Sequence, residues 1–208
     1  MKLYRLSSGP LRVNSYFLAG EDGNAVLIDG GENYKLIKET QEKYGLKVKA
    51  LLLTHAHFDH AGNAAQIAAD GETVYVSEKD GIKLASGDTL AARFGRKAQP
   101  VKDFVTIKEG DVLDLFGMKI EVLETAGHTD GSLTFKTENA LFTGDTLFKE
   151  SVGRTDFPTG NFEELVKSVQ KLFALEGDYD VYPGHDEFTT LSHERAFNPM
   201  KEYERNKS

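Results

Sequence analysis

Four side chains that bind divalent metals fall together in Thr54-His55-Ala56-His57-Phe58-Asp59-His60. In extended backbone His55 and His57 point to the same side, because side chains alternate across a strand. Asp59 and His60 need a turn to come back towards them. Three more candidate ligands occur later: His128 in Thr125-Ala126-Gly127-His128-Thr129, Asp145 in Phe142-Thr143-Gly144-Asp145, and His185 in Val181-Tyr182-Pro183-Gly184-His185. Each of the three follows a glycine, and a small neighbour lets backbone approach a site closely. A lone histidine at the end of a strand is usually an ordinary loop residue. Here five of the six histidines occupy such positions. Imidazole is the commonest metal ligand, so the pattern predicts a metal site.

The elements that must position these residues are readable from hydrophobic periodicity. Apolar, β-branched stretches predict strands over Ser15–Ala19, Ala25–Asp29, Val48–Leu53, Thr73–Ser77, Val101–Ile107, Met118–Leu123, Leu133–Thr137 and Ala140–Thr143. Helical spacing predicts helices over Asn33–Tyr44, Ala61–Ala69, Asn161–Phe173 and Leu191–Ala196, with Pro199 closing the last. The His55 cluster therefore lies where the apolar run Ala50-Leu51-Leu52-Leu53 ends and a helix begins, a common location for ligands in sheet proteins. The alternation of the two element types predicts a mixed α/β domain with sheets at the centre. Residues 86–100, with Gly87, Gly95, Arg96 and Lys97, read as a helix and loop able to lie over a site, or as plain surface.

Composition bounds the function classes. With 208 residues, 39% hydrophobic and 28% charged, the chain suits one globular domain, taken as residues 1–208. It has no cysteine, so any metal must sit on His, Asp or Glu. The net charge of −8 argues against a nucleic-acid partner and leaves a small-molecule substrate. No apolar run has the length of a membrane span, and Met1–Leu6 lacks a secretory layout, so no membrane partner and a cytoplasmic location are expected. Oligomeric state is not readable.

The pattern His-x-His-x-Asp-His, then Gly-His-Thr, Gly-Asp and Pro-Gly-His, resembles the metallo-β-lactamase superfamily, and within it the small glyoxalase II-like hydrolases. Supporting segments are Leu27-Ile28-Asp29-Gly30, Gly144-Asp145-Thr146-Leu147-Phe148 and Gly153-Arg154-Thr155-Asp156-Phe157. The resemblance implies an αββα sandwich of two mixed sheets flanked by helices. It also implies the ligand sets: His55, His57 and His128 for one metal, Asp59, His60 and His185 for the other, with Asp145 between them. Asp29 is a candidate partner orienting a ligand imidazole, or a turn residue before Gly30-Gly31. Metallo-β-lactamases proper often place a cysteine where this chain has Asp145, which moves the reading away from antibiotic hydrolysis.

Two divalent ions about 3.5–4 Å apart hold a water between them and bring its pKa towards neutrality. The resulting hydroxide attacks a carbonyl that one ion polarises. Asp59 is the candidate for moving the proton. Zinc suits His and carboxylate ligands, and iron or manganese fit them as well. The family resemblance implies thioesters of the hydroxyacylglutathione type. Full-length glyoxalase II holds glutathione with a C-terminal helical domain, and only residues 186–208 follow His185 here. Arg154 is a candidate for meeting an anionic substrate, or a structural partner of Asp156. Phe148, Phe157 and Phe188 are candidates for lining a pocket or for the core, and His193 reads as a surface residue. The rival reading is a persulfide dioxygenase. The 153–157 segment and Asp186 resemble that group, in which one iron sits on positions matching His55, His128 and Asp145.

Overall fold

The computed structural model describes residues 1–203; the last five residues of the span read as one domain lie outside the described residues. Two mixed sheets stack face to face, each contiguous in sequence. The first holds β1 (Lys2–Ser8), β2 (Val13–Ala19), β3 (Asn24–Ile28), β4 (Lys47–Leu52), β5 (Thr73–Val76) and β6 (Val105–Thr106), side by side in that order. The first three are antiparallel and the last four parallel. The parallel part is built by helical crossovers: α1 (Tyr34–Tyr44), the one-turn α2 (Phe58–Ala61), α3 (Ala64–Ala69) and α4 (Glu78–Ser86).

The second sheet contains β7 (Val112–Leu115), β8 (Met118–Glu124), β9 (Leu133–Lys136) and β10 (Ala140–Gly144), joined as antiparallel neighbours. A small hairpin of β11 (Leu147–Phe148) and β12 (Ser151–Val152) follows, then α5 (Phe162–Phe173). The helix returns the chain so that β13 (Asp180–Pro183) lies parallel to β10. The edge strand β14 (Thr189–Thr190) and α6 (Leu191–Phe197) complete the layer.

Alternation along the strands explains the layering. Every residue of β2 is buried. Tyr16 and Leu18 point to the centre, where they meet Ile120, Val122, Phe135 and Phe142 of the second sheet. Phe17 and Ala19 point outward to Ile37, Ile67 and Leu84 of the helices. The far face of the second sheet packs Leu141 and Val181 against Val169, Leu172 and Leu191. Both faces of each sheet are thus covered, as near-continuous apolar strands require.

Several boundaries differ from the sequence-based expectation. Asp29 leaves its strand in the left-handed region, at φ +56. Ser77 ends its strand run by capping α4, accepting from Asp80 N at 3.3 Å. The predicted strand 101–107 shortens to Val105–Thr106, because Val101 and Ile107 are buried anchors at either end of a loop. The predicted helix 61–69 is two helices, broken around Gly62, where a Cβ would press on Phe58 O and Gly31 O. The stretch 86–100, expected as a helix and loop, holds a single 3-10 turn, Ala91–Phe94, and loop, while α4, which ends at Ser86, was not anticipated. Pro199 opens a further 3-10 turn after α6.

Candidate metal centre

All seven motif residues converge where the two sheets meet at their strand ends. β4 runs out through Leu53 and Thr54 into His55 and His57, and α2 turns Asp59 and His60 back beside them. His128 lies on the loop after β8, Asp145 directly after β10, and His185 two residues past β13. His57 Nδ1 and His128 Nε2 are 2.9 Å apart. His60 Nε2 and His185 Nε2 are 3.3 Å apart, and Asp59 Oδ2 is 3.3 Å from His185 Nε2. Asp145 reaches both sides, with Oδ1 3.3 Å from His60 Nε2 and Oδ2 3.5 Å from His128 Nε2.

The second nitrogen of most of these rings is committed to the protein, which fixes the ring and the tautomer. His60 Nδ1 donates to Asp29 Oδ2 at 2.7 Å, His128 Nδ1 to the Arg154 carbonyl at 2.7 Å, and His185 Nδ1 to the Leu11 carbonyl at 2.9 Å. Thr54 donates its hydroxyl to Asp29 Oδ2 at 2.8 Å and so accepts from His55 Nδ1 at 3.1 Å. Nε2 of His55, His60, His128 and His185 is left facing inward, whereas His57 presents Nδ1. Asp29 therefore carries two of the rings, one directly and one through Thr54.

Asp80 was not singled out in the sequence. Its side chain is fully buried, and Oδ2 accepts from Ala56 N at 2.8 Å and from the Thr129 hydroxyl at 3.0 Å. Ala56 lies between two of the clustered histidines and Thr129 follows a third. Lys83 pairs with Asp80 and with Asp130, compensating the buried charge. The sequence signal available was an acid just inside a helix start, which usually marks nothing more than a favourable dipole interaction.

The glycines before the ligands have different reasons. A Cβ on Gly184 would overlap Asp145 Oδ1 and His60 Cε1. At Gly127, φ is +142 and a Cβ would run into the backbone of α5 at Leu165.

The donor set fits metal ions. Three groups of ligand atoms each lie within 4.8 Å of one another: His55, His57 and His128; Asp59, His60 and His185; and His55, His60 and Asp145. His55 Nε2 and Asp145 Oδ1 are buried with no hydrogen-bond partner, an arrangement that is costly unless something accepts their lone pairs. Burial holds His55 well below the ordinary imidazole range, helped by the neighbouring rings, and holds His57 down at about 3. Burial pushes the Asp145 carboxyl up, but the imidazoles led by His60 more than offset this, so it is held low. Asp59 is held low by the same balance, with His60 and His185 against burial. The site thus offers neutral imidazoles at His55 and His57 and ionised carboxylates at Asp59 and Asp145, the forms that bind divalent cations. Burial lowers His60 and His185, but the acids around them outweigh it and hold those two rings above the ordinary imidazole range, so a cation bound on that side would displace protons.

The cluster forms the floor of a cavity of about 530 Å³. Its walls include Leu11, Leu90, Phe94, Phe148 and Phe157. Arg154 stands at the rim, bound to Asp156 by two hydrogen bonds of 2.6 Å and lying 4.0 Å over the Phe157 ring. Phe188 does not line it; 61% exposed, it packs only at 6.1 Å from Tyr182. His193 lies on α6 and meets Glu150 at 3.0 Å, away from the cluster. No helix among the described residues is long and apolar enough to cross a membrane.

Comparison with known proteins gives a consistent picture. The family model of the metallo-beta-lactamase superfamily matches residues 8–185. A probable metallo-hydrolase of Streptococcus pyogenes is 37% identical, over 96% of this chain and 90% of that protein. The hydroxyacylglutathione hydrolase GloC of Haemophilus influenzae is 38% identical, over 90% of this chain and 92% of that protein. The solved structure of TTHA1623 in a di-iron-bound form superposes with a TM-score of 0.84 at 34% identity, covering 94% of this chain and 98% of that one.

Proposed function

The chain belongs to the metallo-beta-lactamase superfamily, and on that footing we propose that it is a hydrolase with two metal ions that cleaves acyl thioesters of the hydroxyacylglutathione type. The observation that carries this reading is the division of the ligands. His55, His57 and His128 form one group and Asp59, His60 and His185 another, with no residue in common. Asp145 touches an imidazole of each. We assign the first group to one ion, the second to the other, and Asp145 to the position between. Zinc is the metal this donor set favours, and iron and manganese remain chemically compatible. The hydrolase GloC and the di-iron-bound TTHA1623 support the two halves of this reading separately.

Bound there, a pair of divalent ions supplies an activated water and polarises the carbonyl it attacks. The chain's own residues do the rest. Asp29, through His60 and Thr54, keeps the imidazoles from turning. Asp59 lines the cavity and is held ionised, so its carboxylate accepts the proton of the attacking water and returns it to the leaving thiolate. Phe157 and Phe94 line the His57 side of the cavity with apolar surface, their rings 6.2 Å apart. The acidic chain and the small size of the cavity, about 530 Å³, favour a small molecule over nucleic acid.

A second reading, a persulfide dioxygenase with a single iron on His55, His128 and Asp145, has the 153–157 segment behind it. That segment is part of the site through the Arg154 carbonyl. Metal content decides between them. The test is elemental analysis of protein expressed with zinc and iron supplied, followed by a thioester panel. Two ions per chain with thiol release is the expected result. One iron per chain with oxygen uptake on a persulfide would overturn it, as would unchanged thioester turnover in a folded His57→Ala variant.

A further inference from the structure

Above the ligands the cavity is apolar on both sides. Phe94 and Leu11 are each 44% exposed although they flank the site, which leaves two large apolar side chains uncovered at its mouth. Phe94 is held in place from behind, its ring 4.8 Å from that of Phe58, and Phe157 closes on it edge-on. Leu90, beside them, adopts φ +63, a conformation that a branched side chain rarely takes. Such conformations persist where surrounding structure enforces them and gather around ligand sites. The neighbouring backbone enforces this one: Phe58 N donates to Thr89 O at 2.9 Å and Arg93 N to Leu90 O at 3.0 Å.

The charges point the same way. Arg154 is the one lysine or arginine lining this cavity among the described residues, and Asp156 takes the Nε–Nη2 edge of its guanidinium while the face lies over Phe157. The remaining charged lining groups, Asp59, Asp145 and Asp186, are acids. Beyond the proposed metal positions, a substrate arm bearing carboxylates meets no lysine or arginine free of an acid partner, whereas an apolar arm covers exposed aromatic surface.

We infer that the cavity selects thioesters whose acyl group is an uncharged medium-length alkyl chain or a single aromatic ring, held by Leu90, Phe94 and Phe157. The inference rests on the hydrolase reading for its reaction and revises its substrate: the thioester bond of the hydroxyacylglutathione type is kept, but the apolar acyl arm, and not a glutathione arm, carries the selection. A water oxygen bonds to the carbonyl carbon, the carbon–sulfur bond breaks, one water proton ends on sulfur and the other stays with the new acid. No further reactant is needed.

The test uses the metal-loaded protein and acyl thioesters of N-acetylcysteamine, an uncharged thiol, with acetyl, butyryl, hexanoyl and phenylacetyl groups. kcat/KM is expected to rise from acetyl to hexanoyl by up to about fourfold per methylene that the wall covers. The same acyl groups carried on glutathione are expected to give no advantage. Phe94→Ala should flatten the rise and Phe94→Leu should keep most of it. A flat or falling series, or a tenfold preference for the glutathione thioesters, would overturn the inference while leaving the hydrolase standing. The same chain-length series is measured in parallel by calorimetry with non-cleavable ketones in which a methylene replaces sulfur. If no thioester is cleaved, the hydrolase reading fails. The wall is then judged by affinity alone: tightening with chain length sustains it and a flat series overturns it.

Discussion

Two buried carboxylates hold the imidazoles from below. Asp29 takes Thr54 N, the Thr54 hydroxyl and His60 Nδ1. Asp80 takes the backbone between His55 and His57 and the hydroxyl after His128. Both of these ties converge on Oδ2 while Oδ1 pairs with Lys83, so an amide, with a single acceptor oxygen, gives up either the ties to the loops of the first ligand group or the Lys83 pair that compensates them. Asp80→Asn is expected to fold, to weaken metal at His55, His57 and His128 by about 10–100-fold, and to spare the other group. Competition with a chelator, read against the circular dichroism of the variant, checks this. Equal weakening of both ions would show a general loss of structure instead.

A second residue-scale prediction concerns pH. Burial first, then the His128 ring, holds His57 at about 3. The unfolded chain takes up a proton there below about 6.5. Between those limits the unfolded state carries the extra proton. The contribution of a neutral His57 to stability is therefore fully present above about pH 6.5 and lost as pH falls towards 3, at up to about 1.4 kcal/mol per pH unit. In metal-stripped protein, the urea stability of wild type minus that of His57→Gln should shrink across this window. A difference independent of pH would refute it. The seven clustered residues were legible in the chain because their types and spacing are rare together. Asp80 was not, since an acid at position three of a helix is common and its long-range partners leave no local trace.

Among the elements, the strands with strong alternation and α5 were the legible ones. α5 shows why: its apolar positions fall on one face, and Asn161 caps it by accepting from Glu164 N at 3.1 Å. β1 and β7 were missed because both alternate with polar residues and lie at sheet edges, half exposed. α4 was missed because its anchors are sparse, with Asp80, Gly81 and Leu84 as its buried positions. The turn after β13 gives a prediction of its own. A side chain on Gly184 meets Asp145 and His60, so Gly184→Ala is expected to keep the fold and lose the ion at Asp59, His60 and His185. Metal content near one ion per chain, against the two proposed for the wild type, is the measurement. Two tightly held ions in the variant would contradict it.

For the whole molecule, the two sheets share one central core, with Tyr16 and Ile28 of the first against Phe135 and Phe142 of the second. Asn14 and Tyr16 also cross the seam to the Pro183 carbonyl, at 3.1 and 2.6 Å. A single calorimetric unfolding transition is therefore expected, and two separated transitions would argue for independent units. Metal adds to this. Ligand at a thousand times its Kd stabilises by about 4 kcal/mol, so chelation should lower Tm by on the order of 10 °C in a chain of this size.

Because each sheet is contiguous in sequence, the proposed ligands divide with them. His55, His57, Asp59 and His60 precede β7, and His128, Asp145 and His185 follow it. Neither three-donor group lies wholly on one side of that line. A polypeptide cut between Ile107 and Val112 would yield two pieces, each with a complete sheet and neither with a complete coordination set. Metal would then act as a coincidence detector, captured tightly only when both pieces have found one another, and the cobalt spectrum of the mixed fragments would report their reunion directly.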